Sequence, residues 1–548
     1  MLDWLYALYY FKYDLDQIDI GIILLGIITF VGIAFQKSSI PISLLLVLIG
    51  MVLSFIPSVP HVYLSPDLVL ELFLPLLIYQ VSGETSLRDV FKHIQPILLL
   101  SIGHVVFITA LVAVSVHYLF PDISWPLACV LGAVVSPPDD VAIVSIAEKV
   151  HLPKRIITIL KGEGMFNDAT SLILFRFSLA AVVTHQFVIF NVVTHFVGVV
   201  ASEILYGMAL TYLIGELRIK INDPILQILI SILTPFLAYI PAEKLGGSGV
   251  IATVVCGLLM GHFYKERFTP EVRLTIRTVW TTLGYITQSF LFLLVGLELP
   301  YILERFSAEA STTIFLYSLL IVLVVIAGRF IWVWCSTYIT NFQLLKNKKN
   351  TSPRWQELFI ISWSGMRGGI SLAAALAVPS LPLISDDIDP RDLVILFVFA
   401  VIVATLLIQG LTLPWLLQVL GITRYGKREQ LDQQMGEVLA QLELNKAVLH
   451  WLNEFKELSK DNKKLGEEIK FRIHLYREYK TQLEEDLKSR QTSHIEPRKI
   501  APNNTILLLK ILEVERTELM RLWHEKKINH EVKTKLLRKL DLRARNLS

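Results

Sequence analysis

Thirteen apolar runs follow one another through most of the chain, near 18–36, 40–56, 67–82, 94–119, 124–148, 156–185, 187–215, 224–241, 244–263, 277–299, 312–340, 357–379 and 391–418. They leave little choice of fold. A run of about 17–25 apolar residues matches the hydrocarbon thickness of a bilayer as an α-helix, and only a helix satisfies its own backbone where no water reaches. The sequence therefore predicts an all-α polytopic membrane protein with about 13 transmembrane helices. Composition agrees, with 53% of 548 residues hydrophobic and 18% charged, against about 25% charged in soluble domains. Cys129, Cys256 and Cys335 all fall inside apolar runs, which predicts packing rather than disulfides. The opening MLDWLYALYYFKYDLDQ has neither a basic n-region nor a small-residue cleavage site, so no cleavable signal peptide is expected.

Loop charge predicts orientation. Alternate loops carry Lys37; Arg88 and Lys92; Lys149, Lys154 and Arg155; Arg218 and Lys220; Lys265, Arg267, Arg273 and Arg277; and Lys346, Lys348, Lys349 and Arg354. The others offer only Lys244, Arg305 and Arg391. Lys and Arg accumulate on the cytoplasmic side, which predicts an outside N-terminus and a cytoplasmic C-terminus. Charge density also marks a domain boundary: residues 423–548 hold 47 of the chain's 99 charged side chains. We read 1–422 as a transmembrane domain and 423–548 as a helical cytoplasmic tail. Residues 429–490 have helix-forming composition, Pro497 and Pro502 bracket a linker, and a second helical unit follows.

Charges inside the apolar runs point to function. The fifth run, LACVLGAVVSPPDDVAIVSIAEKV, is broken by Pro137 and Pro138 and followed at once by Asp139 and Asp140. A carboxylate at membrane depth costs about 2.5–3.5 kcal/mol on insertion scales. The twelfth run, ISWSGMRGGISLAAALAVP, is loosened by Gly365, Gly368 and Gly369 around Arg367. With the seventh run as a connector, each broken run is the fifth of six, and the two run in opposite directions. Interrupted spans paired in inverted repeats are the sequence pointer to a transporter's midplane site.

The sixth run, IITILKGEGMFNDATSLILF, places Glu163, Asn167 and Ser171 at i, i+4, i+8, with Gly164 and Asp168 one position further on. This stripe would face the bundle interior and bring Asp168 beside Asp139. Oxygen ligands suit a hard monovalent cation such as Na⁺. Burial favours a protonated carboxyl and a bound cation favours its ionised form, so proton and cation would compete for the site. Glu163 is the expected partner of Arg367, Asp140 the expected cap of a half-helix over 141–148, and Asn167 the group that orients Asp168. Arg329 and Glu298 are expected to pair, Glu203 has no evident partner, and His104, His185 and His195 are expected to be satisfied or boundary residues.

The segments GAVVSPPDDVAIVSIAEKVHLPKRIITILKGEGMFNDATSLILFRF, FLLVGLEL, WSGMRGGISLAAALAVP and LIQGLTLPWLLQVLG resemble the monovalent cation/proton antiporters of the bacterial NhaP-like, sodium/proton exchanger type. The resemblance covers most of 18–422, and its most specific part is the Asn-Asp pair after Gly-Glu-Gly. It implies thirteen spans in a bacterial inner (cell) membrane, a homodimer, and a core domain moving against a dimerisation scaffold. It also implies electroneutral exchange of Na⁺ or Li⁺ for H⁺, with K⁺/H⁺ antiport as the alternative. Carried over by position, Asp168 would bind the ion and the proton, Asp139 and Asn167 would be its neighbours, and Glu163 with Arg367 the core ion pair. The chain departs at Gln80, where a carboxylate is common and Glu84 could substitute, at Gly164, where Ser is common, and at Asp140, where Ala or Pro is usual.

Two other classes make distinct demands. An intramembrane hydrolase would use Asp139 and Asp168 as an acid/base dyad, and a passive cation channel would conduct without an opposing proton gradient. The broken inverted repeat disfavours the hydrolase, and no catalytic residue is assigned. The tail contains no glycine-rich phosphate loop, dinucleotide fingerprint or metal cluster, so no cofactor is expected, and the expected partners are membrane lipid and the exchanged ions, with no nucleic acid.

Overall fold

The computed structural model describes residues 17–36, 42–56, 66–121, 123–139, 152–184, 189–298, 311–344, 354–379, 390–458, 463–492 and 519. Among these every regular element is helical. The chain divides into two compact units, Met1–Glu429 and Gln430–Ser548.

The first unit begins with α1 (Gln17–Ala34), α2 (Ile42–Ser54), α3 (Leu74–Glu84, entered through a π-helical turn at Leu68–Phe73), α4 (Leu87–Lys92) and α5 (Ile94–Leu119). α6 (Trp125–Val135), α7 (Lys154–Thr184), α8 (Ile189–Lys220), α9 (Pro224–Lys244), α10 (Val250–Leu259) and α11 (Pro270–Leu297) follow. The series closes with α12 (Ser311–Leu344), α13 (Trp355–Trp363), α14 (Gly369–Leu376) and α15 (Pro390–Val419). Each of the thirteen apolar runs is mostly helical along its described part, with non-helical chain at 136–139 in the fifth, 245–249 in the ninth and 364–368 in the twelfth. Among the described residues seven helices are long and apolar enough to cross a membrane by length and composition, and four shorter apolar helices accompany them. The protein is thus an integral membrane protein.

Polar punctuation sets the boundaries. Ser86 caps α4 by accepting from the Asp89 amide at 3.3 Å, Asp223 caps α9 by accepting from the Ile225 amide at 2.8 Å, and Thr269 precedes Pro270 at the start of α11. Helices then pack through small residues where their backbones cross: a methyl group added at Gly50 of α2 would lie 3.0 Å from the Gly296 Cα of α11. Outward faces stay apolar, with Ile22 and Phe30 on α1, Leu213 and Leu217 on α8, and Phe315 and Leu323 on α12 exposed. This is the pattern expected where the surroundings are lipid, since hydrocarbon accepts such side chains as readily as a core does.

In the second unit, the distal part of α16 (Ile422–Leu458) packs on α17 (Lys463–Thr492). Leu449 and Leu452 meet Ile469 and Ile473, while Val438 and Leu442 meet Leu483. Contacts that move backward along α16 as they move forward along α17 define an antiparallel hairpin. The second helical unit expected after Pro502 lies outside the described residues apart from position 519.

Candidate functional site

The two broken runs meet inside the first unit. α6 stops at Val135 ahead of Pro137 and Pro138, and the chain from 364 to 368 separates α13 from α14. Proline supplies no amide, so the terminal carbonyls of α6 need other donors. Ser136 Oγ and Ser171 Oγ both donate to the Ala133 carbonyl, at 2.8 and 2.9 Å. Arg367 Nε donates to the Val135 carbonyl and Asn167 Nδ2 to the Pro138 carbonyl, each at 2.7 Å. The Asp139 amide donates to the Met366 carbonyl at 2.6 Å, joining one break to the other. Several backbone groups at the breaks are therefore satisfied by α7 and by the facing break, the condition for irregular chain at membrane depth.

Asp139 and Asp168 border one cavity of about 40 Å³, which Pro138, Gly164, Gly368 and Ser371 also line. Both carboxylates are half-buried, whereas Glu163, Asn167 and Ser171 on the same stripe of α7 are buried. Gly368 is required here: a side-chain carbon at this position would collide with the Asp139 carboxylate. The expected neighbourhood of Asp139 and Asp168 is present, and a space of one or two water volumes adjoins it. Asn167 has a backbone role. Its amide nitrogen braces the Pro138 carbonyl, a partner the sequence did not reveal. Ser371, an additional hydroxyl at the cavity, sits two residues beyond the glycines and was hidden in an apolar run.

The ion pair differs from expectation. Glu163 pairs with Arg329, not Arg367, through two hydrogen bonds of 2.6 and 3.0 Å, and both side chains are almost fully buried. Arg367 instead uses backbone: Nε reaches Val135, Nη1 donates to the Gly365 carbonyl at 2.5 Å, and its own amide donates to Thr405 Oγ1 at 3.1 Å. The physical reason lies in where each arginine sits. Arg367 is within a break whose freed carbonyls accept from its Nε and Nη1, its Nη2 having no partner among the described residues, whereas Arg329 projects from the unbroken α12 and meets a carboxylate across the interface. Arg329, expected beside Glu298, thus places both terminal guanidinium nitrogens on Glu163. Gly365 lies between the two guanidinium groups, with Arg329 Nε 2.9 Å and Arg367 Nη1 3.4 Å from where a Cβ would stand.

Glu203 acquires partners that the sequence did not reveal. Its carboxylate accepts from the amides of Ser248, Gly249, Ile251 and Ala252, at 2.5 to 3.2 Å, and so caps the first turn of α10. Gly249 enters that turn at φ +70°, a conformation suited to glycine. Gln80 and Glu84 border a different cavity, so Glu84 does not stand in for a carboxylate beside Asp168. Both ring nitrogens of the buried His104 lack a hydrogen-bond partner among the described residues, contrary to the expected satisfied histidine. Asp140, the expected half-helix 141–148, His185 and the His195 side chain lie outside the described residues.

Comparison with known proteins agrees with this architecture. Residues 22–419 match the model of the sodium/hydrogen exchanger transmembrane family. A sodium, potassium, lithium and rubidium/H⁺ antiporter of Bacillus pumilus is 31% identical over 388 residues, covering 69% of this chain but 58% of that protein, so the match spans less than two thirds of its length. The Na⁺/H⁺ antiporter ApNhaP of Aphanothece halophytica is 30% identical over 445 residues, 81% of each chain. The solved structure of the sodium proton antiporter MjNhaP1 from Methanocaldococcus jannaschii shares the fold with a TM-score of 0.57 and 19% identity, covering 73% of this chain and 98% of that one. With the family model matched across both helix breaks and the run between them, the chain belongs to the sodium/hydrogen exchanger family, a family of membrane antiporters rather than enzymes.

Proposed function

We propose that this protein exchanges Na⁺ or Li⁺ for H⁺ across the membrane, with K⁺ a weaker substrate, and that the two ions compete for Asp168 with Asp139 as its neighbour. The observation that carries the reading is the single cavity bordered by both aspartates at the meeting of the two breaks. Oxygen donors in a small, partly dry space favour a hard monovalent cation. A carboxylate there is neutralised by either a proton or a cation, and each occupant excludes the other. When only a neutralised site crosses the barrier, one proton moves for one cation and no net charge moves. The Glu163–Arg329 pair and the carbonyl-bound Arg367 hold the surroundings fixed during that swap. Potassium/proton antiport is the second reading, favoured by the potassium named among the substrates of the Bacillus pumilus relative.

The same proposal takes the thirteen runs as spans of an inverted repeat, with the N-terminus outside, 423–548 a cytoplasmic tail, Asp140 a helix cap and the working unit a homodimer. The joining of the breaks through Asp139 and Met366 supports the repeat. Liposomes containing the protein and an internal pH dye test the exchange. Outside Na⁺ and Li⁺ are expected to alkalinise the lumen more than K⁺, at a rate that valinomycin-clamped voltage leaves unchanged. An equal or larger response to K⁺ moves the assignment to potassium, and a voltage-dependent rate shows that a second charge travels.

A further inference from the structure

A second cavity, of about 100 Å³, lies among α3, α8, α9, α10 and α11, away from the aspartates. Its lining is basic: Arg218, Lys265, Arg273 and Arg277 border it, with Glu84 the acidic residue among its lining groups. Arg218 forms the base. It is 1% exposed, and its Nε and Nη2 have no hydrogen-bond partner among the described residues. The Phe268 ring beneath it, 4.3 Å from the guanidinium carbon, offers a cation–π contact but no acceptor. The nearby Glu216 is engaged elsewhere, by Arg267 at 2.8 Å and Tyr264 at 3.3 Å. Lys265 and Arg277 stand at the exposed rim, and Trp280 and Ser231 close one wall through a 3.0 Å hydrogen bond.

Three local rules are broken together. A buried guanidinium is left with donors unmet, which costs more than leaving a neutral group so. Arg273 and Arg277 are like charges at i, i+4, which repel along a helix. Arg273 also sits in the first turn of α11, the positive end of its dipole. Flanking basic residues are ordinary in membrane proteins, but that accounts for a solvated rim and not for Arg218. One bound anion would relieve all three conflicts.

We propose that this cavity binds a phosphate group, carried by a phospholipid headgroup or by free inorganic phosphate. Arg218 would contact it from below, while Arg273, Arg277 and Lys265 surround it. A tetrahedral oxyanion fits a space of about three water volumes, and guanidinium forks match its oxygens. The proposal does not depend on which ions the aspartate site exchanges.

Thermal unfolding of the purified full chain tests it, in nanodiscs of neutral phosphatidylcholine with added inorganic phosphate against chloride at equal ionic strength, and in discs containing phosphatidylglycerol. A rise in Tm with inorganic phosphate in neutral discs identifies the free ion; a rise only with phosphatidylglycerol identifies the lipid. In either case Arg218→Gln should weaken the response about tenfold or more. Arg277→Gln, at the exposed rim, should weaken it while leaving the ligand-free Tm unchanged, which keeps the test intact should Arg218→Gln fail to fold. No rise with either probe, or an undiminished rise in Arg277→Gln, overturns the proposal.

Discussion

Glu203 and the Asp139–Asp168 pair are carboxylates buried by the same membrane fold, yet they are treated in opposite ways. Four backbone amides converge on Glu203 from the first turn of α10, so its acceptor positions are filled by fixed donors. Asp139 and Asp168 are only half-buried, and they share a cavity at a place where two helices are interrupted. The first arrangement fixes a charge as structure. The second leaves space beside the charge, which the proposed exchange would use. Burial of an acid therefore does not by itself mark a transport site; adjacent volume and an interrupted backbone are what the proposed site has and Glu203 lacks.

The comparison breaks most sharply at Asp168. Asp168→Asn is expected to abolish cation-driven proton movement in vesicles while the protein remains folded by size-exclusion and circular dichroism, and Asp139→Asn to impair it severely. Full exchange by a folded Asp168→Asn protein removes the aspartates from the mechanism.

Next in size is the ion pair. Glu163→Ala should destabilise by about 3–5 kcal/mol, because it strands the buried Arg329. A double-mutant cycle of Glu163 with Arg329 should return part of that loss, whereas a cycle with Arg367 should show much weaker coupling. Coupling of equal strength to both arginines would mean that the pairing is shared.

Glu203→Gln should cost about 2–3 kcal/mol, since a neutral amide brings donors toward amides that already donate. Exchange per folded molecule should persist. Loss of exchange in a protein of normal stability would erase the distinction drawn between the two acid centres. The smallest effect belongs to Ser171→Ala, about 1 kcal/mol by thermal unfolding, since Ser136 still donates to the Ala133 carbonyl.

Much of this was legible in the sequence. Proline pairs and glycine clusters inside apolar runs located both breaks, and helical periodicity put Glu163, Asn167 and Ser171 on one buried stripe. Partner choice was not legible. Periodicity says which face a charge occupies but not which of two arginines on other helices reaches it, and Arg329 lies 166 positions from Glu163. Nor could it show that freed carbonyls would accept from Nε and Nη1 of Arg367, because that depends on how the breaks meet in space. Glu203 was visible as an intramembrane acid, yet its partners are backbone amides, which carry no residue-type signal. Ser371 and Thr405 were concealed for a related reason: hydroxyls are common in membrane helices, and only the packing distinguishes these two.

The central claim is competition between proton and cation at Asp168. It is tested most directly by the half-saturating Na⁺ concentration of exchange, measured in liposomes across external and internal pH changed together. A cation that must displace one proton from one carboxylate should show a half-saturating concentration that rises about tenfold for each unit of pH lowered below the site's titration, with the maximal rate preserved at saturating Na⁺. A half-saturating concentration that stays constant with pH while the maximal rate falls would contradict the account, because proton and cation would then occupy separate sites.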